Sequence, residues 1–209
     1  GFRAPSLYEV AYNDGPWAFA PAADTRLDAE TSEGYYLAIA WHGDAGLYLE
    51  AVYFDQQVKD DIYFDLAGFS GYLQDSGQSD STGVELIANW AFLDALSLSG
   101  NYTYNDTEQA DGTRRIFRPE HLANLGITWL VLDQRLRLGL NARLSRGSVD
   151  TTGNAMDDYE VVDINGRLHF TDEFSLYGRV ENLLDVDYEE IPTYNASGLA
   201  AYAGVRYSF

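Results

Sequence analysis

The segment Leu96-Ser-Leu-Ser-Gly-Asn-Tyr-Thr-Tyr104 alternates without a break. Leu96, Leu98, Gly100, Tyr102 and Tyr104 fall on one side, and Ser97, Ser99, Asn101 and Thr103 on the other. Between residues 135 and 144, Leu136, Leu138, Leu140, Ala142 and Leu144 oppose Arg135, Arg137, Gly139, Asn141 and Arg143 in the same way. A period of two is the signature of an extended strand with one apolar face. Followed along the chain, it predicts nine strands, at roughly 33–42, 46–57, 80–92, 95–106, 120–131, 134–147, 158–170, 173–182 and 199–209. No stretch carries a convincing helical stripe, so the expected class is all-β. Most of these strands exceed the ~5–6 residues usual in globular proteins. They match the about 9–11 that a tilted strand needs to cross a bilayer.

The connections alternate between short and long. Gly43-Asp-Ala45, Leu93-Asp94, Leu132-Asp133 and Thr171-Asp172 are short and each contains an Asp suited to a tight turn. Residues 58–79, 107–119, 148–157 and 183–198 form the long ones, rich in Asp, Gly, Ser, Thr, Asn and Pro. Tight turns on one rim and long loops on the other point to an antiparallel up-and-down transmembrane β-barrel. The aromatic residues agree. Trp41, Trp90, Phe92, Trp129, Phe170 and Phe174 flank the short turns, while Tyr53, Tyr102, Tyr104 and Tyr159 lie toward the long loops. Two such belts are expected where a barrel crosses the two bilayer interfaces. The lipid-facing sets then include Leu86, Ala88 and Trp90; Ile164, Leu168 and Phe170; and Phe174, Leu176 and Val180. Glu85, Asn89, Asp163, Asn165, Arg167, His169, Arg179 and Glu181 face the lumen.

Charge and composition narrow the function. Thirteen basic against 33 acidic residues leave a net charge of −20, which excludes a basic nucleic-acid footprint. With no Cys, disulfide frameworks, thiolate metal sites and Cys nucleophiles are excluded. No apolar run approaches the ~18 residues of a membrane helix, and no signal peptide opens the chain. A first residue of Gly rather than Met is read as the mark of a piece of something longer.

The end of the chain carries a resemblance. Val180-Glu-Asn-Leu-Leu-Asp-Val-Asp-Tyr-Glu189, a loop, and Tyr202-Ala-Gly-Val-Arg-Tyr-Ser-Phe209 resemble the C-terminal end of TonB-dependent outer-membrane receptors. Gly1-Phe-Arg-Ala-Pro-Ser-Leu-Tyr-Glu9 resembles that family's Phe-Arg-Ala-Pro box, and Gly83-Val-Glu-Leu86 and Arg118-Pro-Glu-His121 also look like family features. The resemblance implies a 22-stranded barrel in the outer membrane of a Gram-negative bacterium. An N-terminal plug would fill it and contact TonB. The 209 residues would supply about nine C-terminal strands of that barrel, without the plug, and residues 1–32 an extracellular loop. Tyr207 and the terminal Phe209 resemble the signal read by the barrel assembly machinery.

The function expected is energy-coupled uptake of a scarce small molecule such as a ferric siderophore or cobalamin. The alternative is a passive porin or sugar channel. An enzyme is not expected, since no Gly-x-Ser-x-Gly occurs and catalytic roles can be assembled only by arbitrary choice. A soluble all-β binding module is also weighed and would need no detergent. Arg3, Arg114, Arg115 and Arg118 are the candidate ligand contacts in outer loops, for an anionic siderophore or lipopolysaccharide phosphate. Pairing with neighbouring loop carboxylates is the competing use. Arg135, Arg137, Arg143, Arg167, Arg179, Arg206, Glu85 and Glu181 are the candidate plug-facing lumen residues. No cofactor and no metal are expected. His42, His121 and His169 are scattered, the Asn-Pro-Asn-Leu box of haem receptors is absent, and the acidic stretches at 59–65 and 157–158 lack an EF-type spacing.

Overall fold

The computed structural model describes every residue except Ala45, so the predicted Gly43–Ala45 turn lies partly outside the described residues. In chain order the elements are β1 (Phe2–Arg3), helix α1 (Leu7–Asn13), a 3₁₀ turn at Ala22–Asp24, β2 (Glu30–His42), β3 (Leu47–Lys59), β4 (Ile62–Phe64), β5 (Tyr72–Gln74), β6 (Gln78–Leu93), β7 (Leu96–Glu108), β8 (His121–Val131), β9 (Leu136–Arg146), β10 (Tyr159–His169), β11 (Phe174–Glu181), β12 (Glu189–Ile191), β13 (Tyr194–Asn195) and β14 (Ala200–Tyr207). Nine long strands thus form where the alternation placed them. One antiparallel meander runs β1-β2-β3-β6-β7-β8-β9-β10-β11-β14. The small hairpins β4–β5 and β12–β13 sit inside two of the long connections.

Register fixes the faces, because residues directly opposed on neighbouring strands point the same way. One outward row runs Ile127, Leu140, Ile164, Val180, Ala201. The next runs Trp129, Leu138, Gly166, Gly178, Ala203, and the one nearest the short turns Val131, Leu136, Leu168, Leu176, Val205. On the other strands Ile39, Ala51, Leu86 and Tyr102 continue this face. These side chains are open rather than packed: Leu37 is 73%, Ile39 74% and Val205 65% exposed. Among the described residues only Ala22, Ile62 and Val161 are buried apolar side chains. A soluble module would close such a face into a core; here lipid is the solvent for it.

Several boundaries differ from the expectation. β2, β3, β6 and β7 reach 13, 13, 16 and 13 residues, so their long-loop ends rise beyond the apolar band. The last strand ends at Tyr207 rather than at residue 209. Residues 1–32 are not plain loop: β1 pairs with Thr31 and Glu30 of β2, and α1 is a helix where none was expected. Its seven residues are too few to display a stripe. The signal was Ser6 and Glu9, a capping box, in which the Ser6 hydroxyl accepts from the Glu9 N–H at 3.2 Å and the Glu9 carboxylate accepts from the Ser6 N–H at 2.6 Å. Tyr159 lies at the long-loop end as placed, but it points inward because it opposes inward Ser145.

The Gly83 feature has a steric cause. A Cβ there would come within 2.1 Å of the Tyr104 carbonyl oxygen and 2.5 Å of the Phe54 ring, so only glycine lets the three strands close at that point. The short β8–β9 turn holds Leu132, Asp133 and Gln134 at φ of 52°, 51° and 67°, and the Arg135 N–H closes it on the Leu132 carbonyl.

Candidate ligand-binding crown and lumen

On the long-loop side, three segments distant in sequence fold into one crown. Arg3 is its hub. Its Nη2 donates to Glu30 Oε1 at 2.7 Å while its Nε donates to Glu30 Oε2, and its Nη1 reaches both Glu9 oxygens at 3.0 and 3.2 Å. A planar guanidinium is suited to such a fork. Glu9 and Glu30 are buried, at 9% and 8% exposure, and Glu30 Oε1 also accepts from the Ile62 N–H at 2.7 Å. Arg3 and the Ile62 N–H hold the Glu30 carboxyl below its ordinary range against the effect of burial. For Glu9 burial again opposes, and the bonds from Ser6 and Arg3 prevail to lower it.

Asn13 stitches the helix to the β4–β5 hairpin across 59 residues, its Nδ2 donating to the Tyr72 carbonyl at 2.7 Å and its Oδ1 accepting from the Tyr72 N–H at 2.9 Å. Around that clamp Tyr8, Tyr12, Phe64, Phe69 and Tyr72 meet in edge and tilted contacts with centroids 5.3–6.2 Å apart. Tyr8, Trp17 and Phe69 still expose 66%, 73% and 63% of their surface, so the crown presents aromatic faces outward.

The inward face is polar. A concavity of about 620 Å³ is lined by Asn89, Asn101, Asn124, Asn141, Arg143 and Asp163, with other residues between them. Asn124 donates to Asn101 at 2.9 Å. At its upper end Arg143 joins the wall to the β12–β13 loop: it pairs with Glu190 at 3.0 Å, donates to the Tyr188 hydroxyl at 3.2 Å, and lies 5.4 and 5.7 Å from the Tyr159 and Tyr188 ring centres. The 148–157 and 183–198 loops enclose a second hollow of about 560 Å³ lined by Asp150, Met156, Asp157, Asp187 and Glu189. A mixture of neutral amides, charges and aromatic faces can hold a hydrated surface or a polar ligand.

Comparison with known proteins follows from this geometry. The family described as "TonB dependent receptor-like, beta-barrel" matches residues 1–183. The chain belongs to that family. This TonB-dependent receptor barrel is similar to the vitamin B12 transporter BtuB of Photobacterium profundum, 29% identical over 63% of the chain and 22% of that protein. It is 26% identical to the iron-regulated outer membrane virulence protein of Vibrio cholerae, over 91% of the chain and 33% of that protein. Among solved structures, the copper transporter OprC shares the fold with a TM-score of 0.80 at 20% identity, over 100% of the chain and 36% of OprC. The ferric yersiniabactin uptake receptor FyuA of Yersinia pestis gives 0.70 at 23% identity, over 88% and 30%. The chain therefore spans about a third or less of these relatives. Receptors of this family reside in the outer membrane of Gram-negative bacteria, and this barrel wall is an outer-membrane structure.

Within the TonB-dependent receptor barrel the residues singled out from sequence separate into groups. Arg3, Arg114 and Arg115 all face carboxylates: Arg3 as above, Arg115 on Asp61 at 2.8 Å, and Arg114 within 3.2 Å of Glu120 without an aligned hydrogen bond. Arg118 is exposed. Arg137, Arg143, Arg167 and Arg179 share the inward face, Arg206 joins it opposite Ser175, and Glu85 lies on it opposite Thr103. Arg135 follows the same parity from the turn. Arg179 pairs with Glu181 at 3.0 Å and lies over the Tyr202 ring at 4.5 Å. The three His stay apart: His42 is beside Tyr48, His121 bonds the Tyr102 hydroxyl at 2.7 Å on the outward face, and His169 opposes Ser175. Among the described residues no three His, Cys, Asp or Glu gather to hold a metal ion.

Sequence reasoning missed Asn13; it singled out Asn182 and Tyr188 only as carriers of the family resemblance, without a structural role. Asn182, within the Asn-Leu-Leu-Asp element, is 3% exposed and sits at a φ of 48°. Its amide accepts from the Val186 N–H at 2.9 Å and donates to the Val186 carbonyl at 2.8 Å, while its own N–H donates to Asp163 at 2.8 Å. This is an Asx-type closure that sets the exit of β11. Asn182→Ala is expected to speed hydrogen exchange at the Val186 amide roughly tenfold, because that half-buried N–H loses its acceptor. Leu184→Ala, at a 60% exposed position, should leave it unchanged.

Proposed function

We propose that these 209 residues form C-terminal wall and crown of a TonB-dependent receptor that imports a scarce small molecule, a ferric siderophore or cobalamin, across the outer membrane. The observation that carries the reading is the crown itself: long connections folded together by Arg3 and Asn13 at the mouth of a polar lumen. In this reading residues 1–32 lie outside the cell, and the exposed aromatic faces together with Arg118 meet cargo or lipopolysaccharide phosphate. Arg3, Arg114 and Arg115 act mainly by shaping the loops, and contact a ligand where their carboxylate partners leave a donor over. Arg135, Arg137, Arg143, Arg167, Arg179, Arg206, Glu85 and Glu181 face a plug that couples to TonB. Tyr207 faces outward at the end of the last strand and Phe209 stands fully exposed beyond it, as an assembly signal for the barrel machinery would. The protein's work is transport, with no reaction at this wall.

The test uses the full-length receptor in cells with and without a working TonB system, offered labelled ferric siderophores and cobalamin. One member of the panel should be taken up only when TonB works, while its binding to the surface persists without it. Uptake independent of TonB, with open conductance in a planar bilayer, would make the protein a passive channel instead.

A further inference from the structure

The Arg3 hub continues into a longer file of charged groups. Asp61 lies against Glu30, and its Oδ2 accepts from Arg115 Nη2 at 2.8 Å. The file therefore reads Arg115, Asp61, Glu30, Arg3, Glu9, with two carboxylates adjacent in the middle. Two carboxylates can share a hydrogen bond only through a proton, since the ionised group is acceptor-only. Glu30 is poorly placed to carry that proton, because Arg3 and the Ile62 N–H already occupy its oxygens. Asp61 has Arg115 on one side and Glu30 on the other, with Arg3 further off. Arg115 supplies the only ion pair among the described residues that joins the 109–120 loop to the segment leading into β4.

We propose that Asp61 is a proton-operated catch: on taking up a proton it keeps its bond to Glu30 and lets go of Arg115, freeing the 109–120 loop while the Arg3 hub stays closed. The two carboxyls respond to pH in opposite senses. Burial first, then the neighbouring Glu30, push Asp61 above the ordinary aspartate range although Arg115 opposes them. Its protonated form is therefore favoured in the folded crown, and the stability it adds is present in acid and lost as pH rises through its folded value. Glu30 and Glu9 are lowered, so the stability they add is present above their ordinary values and is lost only as pH falls through the lowered ones. Between the two limits the Arg115 arm opens and the Arg3 arm does not. The catch goes beyond the import reading, since it depends on no particular cargo.

The test is hydrogen–deuterium exchange on the full-length receptor in detergent micelles, near pH 4.5 and pH 7.5, corrected for intrinsic rates. In the wild type a peptide containing Arg115 and Phe117 should exchange roughly two- to fivefold faster at the acid pH. A peptide over Leu7–Asn13 should not change. The Phe117 amide is the reporter, bonded to the Val149 carbonyl at 2.9 Å. Asp61→Asn should exchange fast in that loop at both pH values. Arg115→Gln, at a partly exposed position, should do the same with the crown otherwise intact, and it carries the test where Asp61→Asn also loosens the α1 peptide. Wild-type exchange that ignores pH, or a pH response surviving in Arg115→Gln, overturns the catch and leaves the import reading standing.

Discussion

Leu140→Arg is expected to abolish assembly of the barrel, while Asn141→Arg, one residue along, leaves it folded. The two side chains leave β9 on opposite faces. Leu140 belongs to the outward row of Ile127, Ile164, Val180 and Ala201. An arginine there stands in hydrocarbon, at about 2–4 kcal/mol near the midplane, with no opposite charge in its row. Asn141 opposes Gly126 on one side and Asp163 on the other, so an arginine at 141 enters a wet surface beside a carboxylate. Assembly is read by heat-modifiable migration on a gel and by urea unfolding in a bilayer. Equal tolerance of both changes, or equal failure, would mean that the face assignment is wrong.

Arg3→Ala should leave the barrel heat-modifiable and open the crown. It strips the counter-charge from Glu9 and Glu30, both nearly buried. Stranding a buried charged acceptor costs ~1–3 kcal/mol, with the 45% exposed Arg3 side chain and entering water keeping the value toward the lower end. That corresponds to a roughly five- to thirtyfold gain in the open crown, seen as faster proteolysis within residues 1–32 and 60–77. Arg3→Lys should restore only part of the protection, because an ammonium cannot serve two carboxylates through a planar fork. A crown that resists protease equally in all three proteins would remove Arg3 from its central role.

The barrel wall was legible because its chemistry is local and periodic. Leu136 to Leu144 and their intervening polar residues state both the strand and its faces, and the ladder to β8 and β10 follows from that parity. The aromatic positions beside Leu93-Asp94 and Thr171-Asp172 marked the short-turn rim. The crown was not legible, because its contacts obey no period. Asn13 meets Tyr72 across 59 residues and Arg115 meets Asp61 across 54, through side chains that look like ordinary loop polarity. The α1 helix is shorter than two full repeats of a stripe, and only the Ser6–Glu9 spacing announced it. Tyr159 illustrates a third case: aromatic content fixed its height on the wall but one-residue parity decided its side.

That division has a kinetic consequence. In the meander each strand pairs with the one just before or after it among the long strands, so the wall can zip hairpin by hairpin. The crown joins residues from three hairpins at once. Its closing contacts carry the long loop-closure entropies of the molecule and form after the strands beneath them are in register. An ordered crown is thus a report that the strands beneath it, β2 to β8, are in register, and a chain stalled before that stage would display loops with nothing yet able to bind.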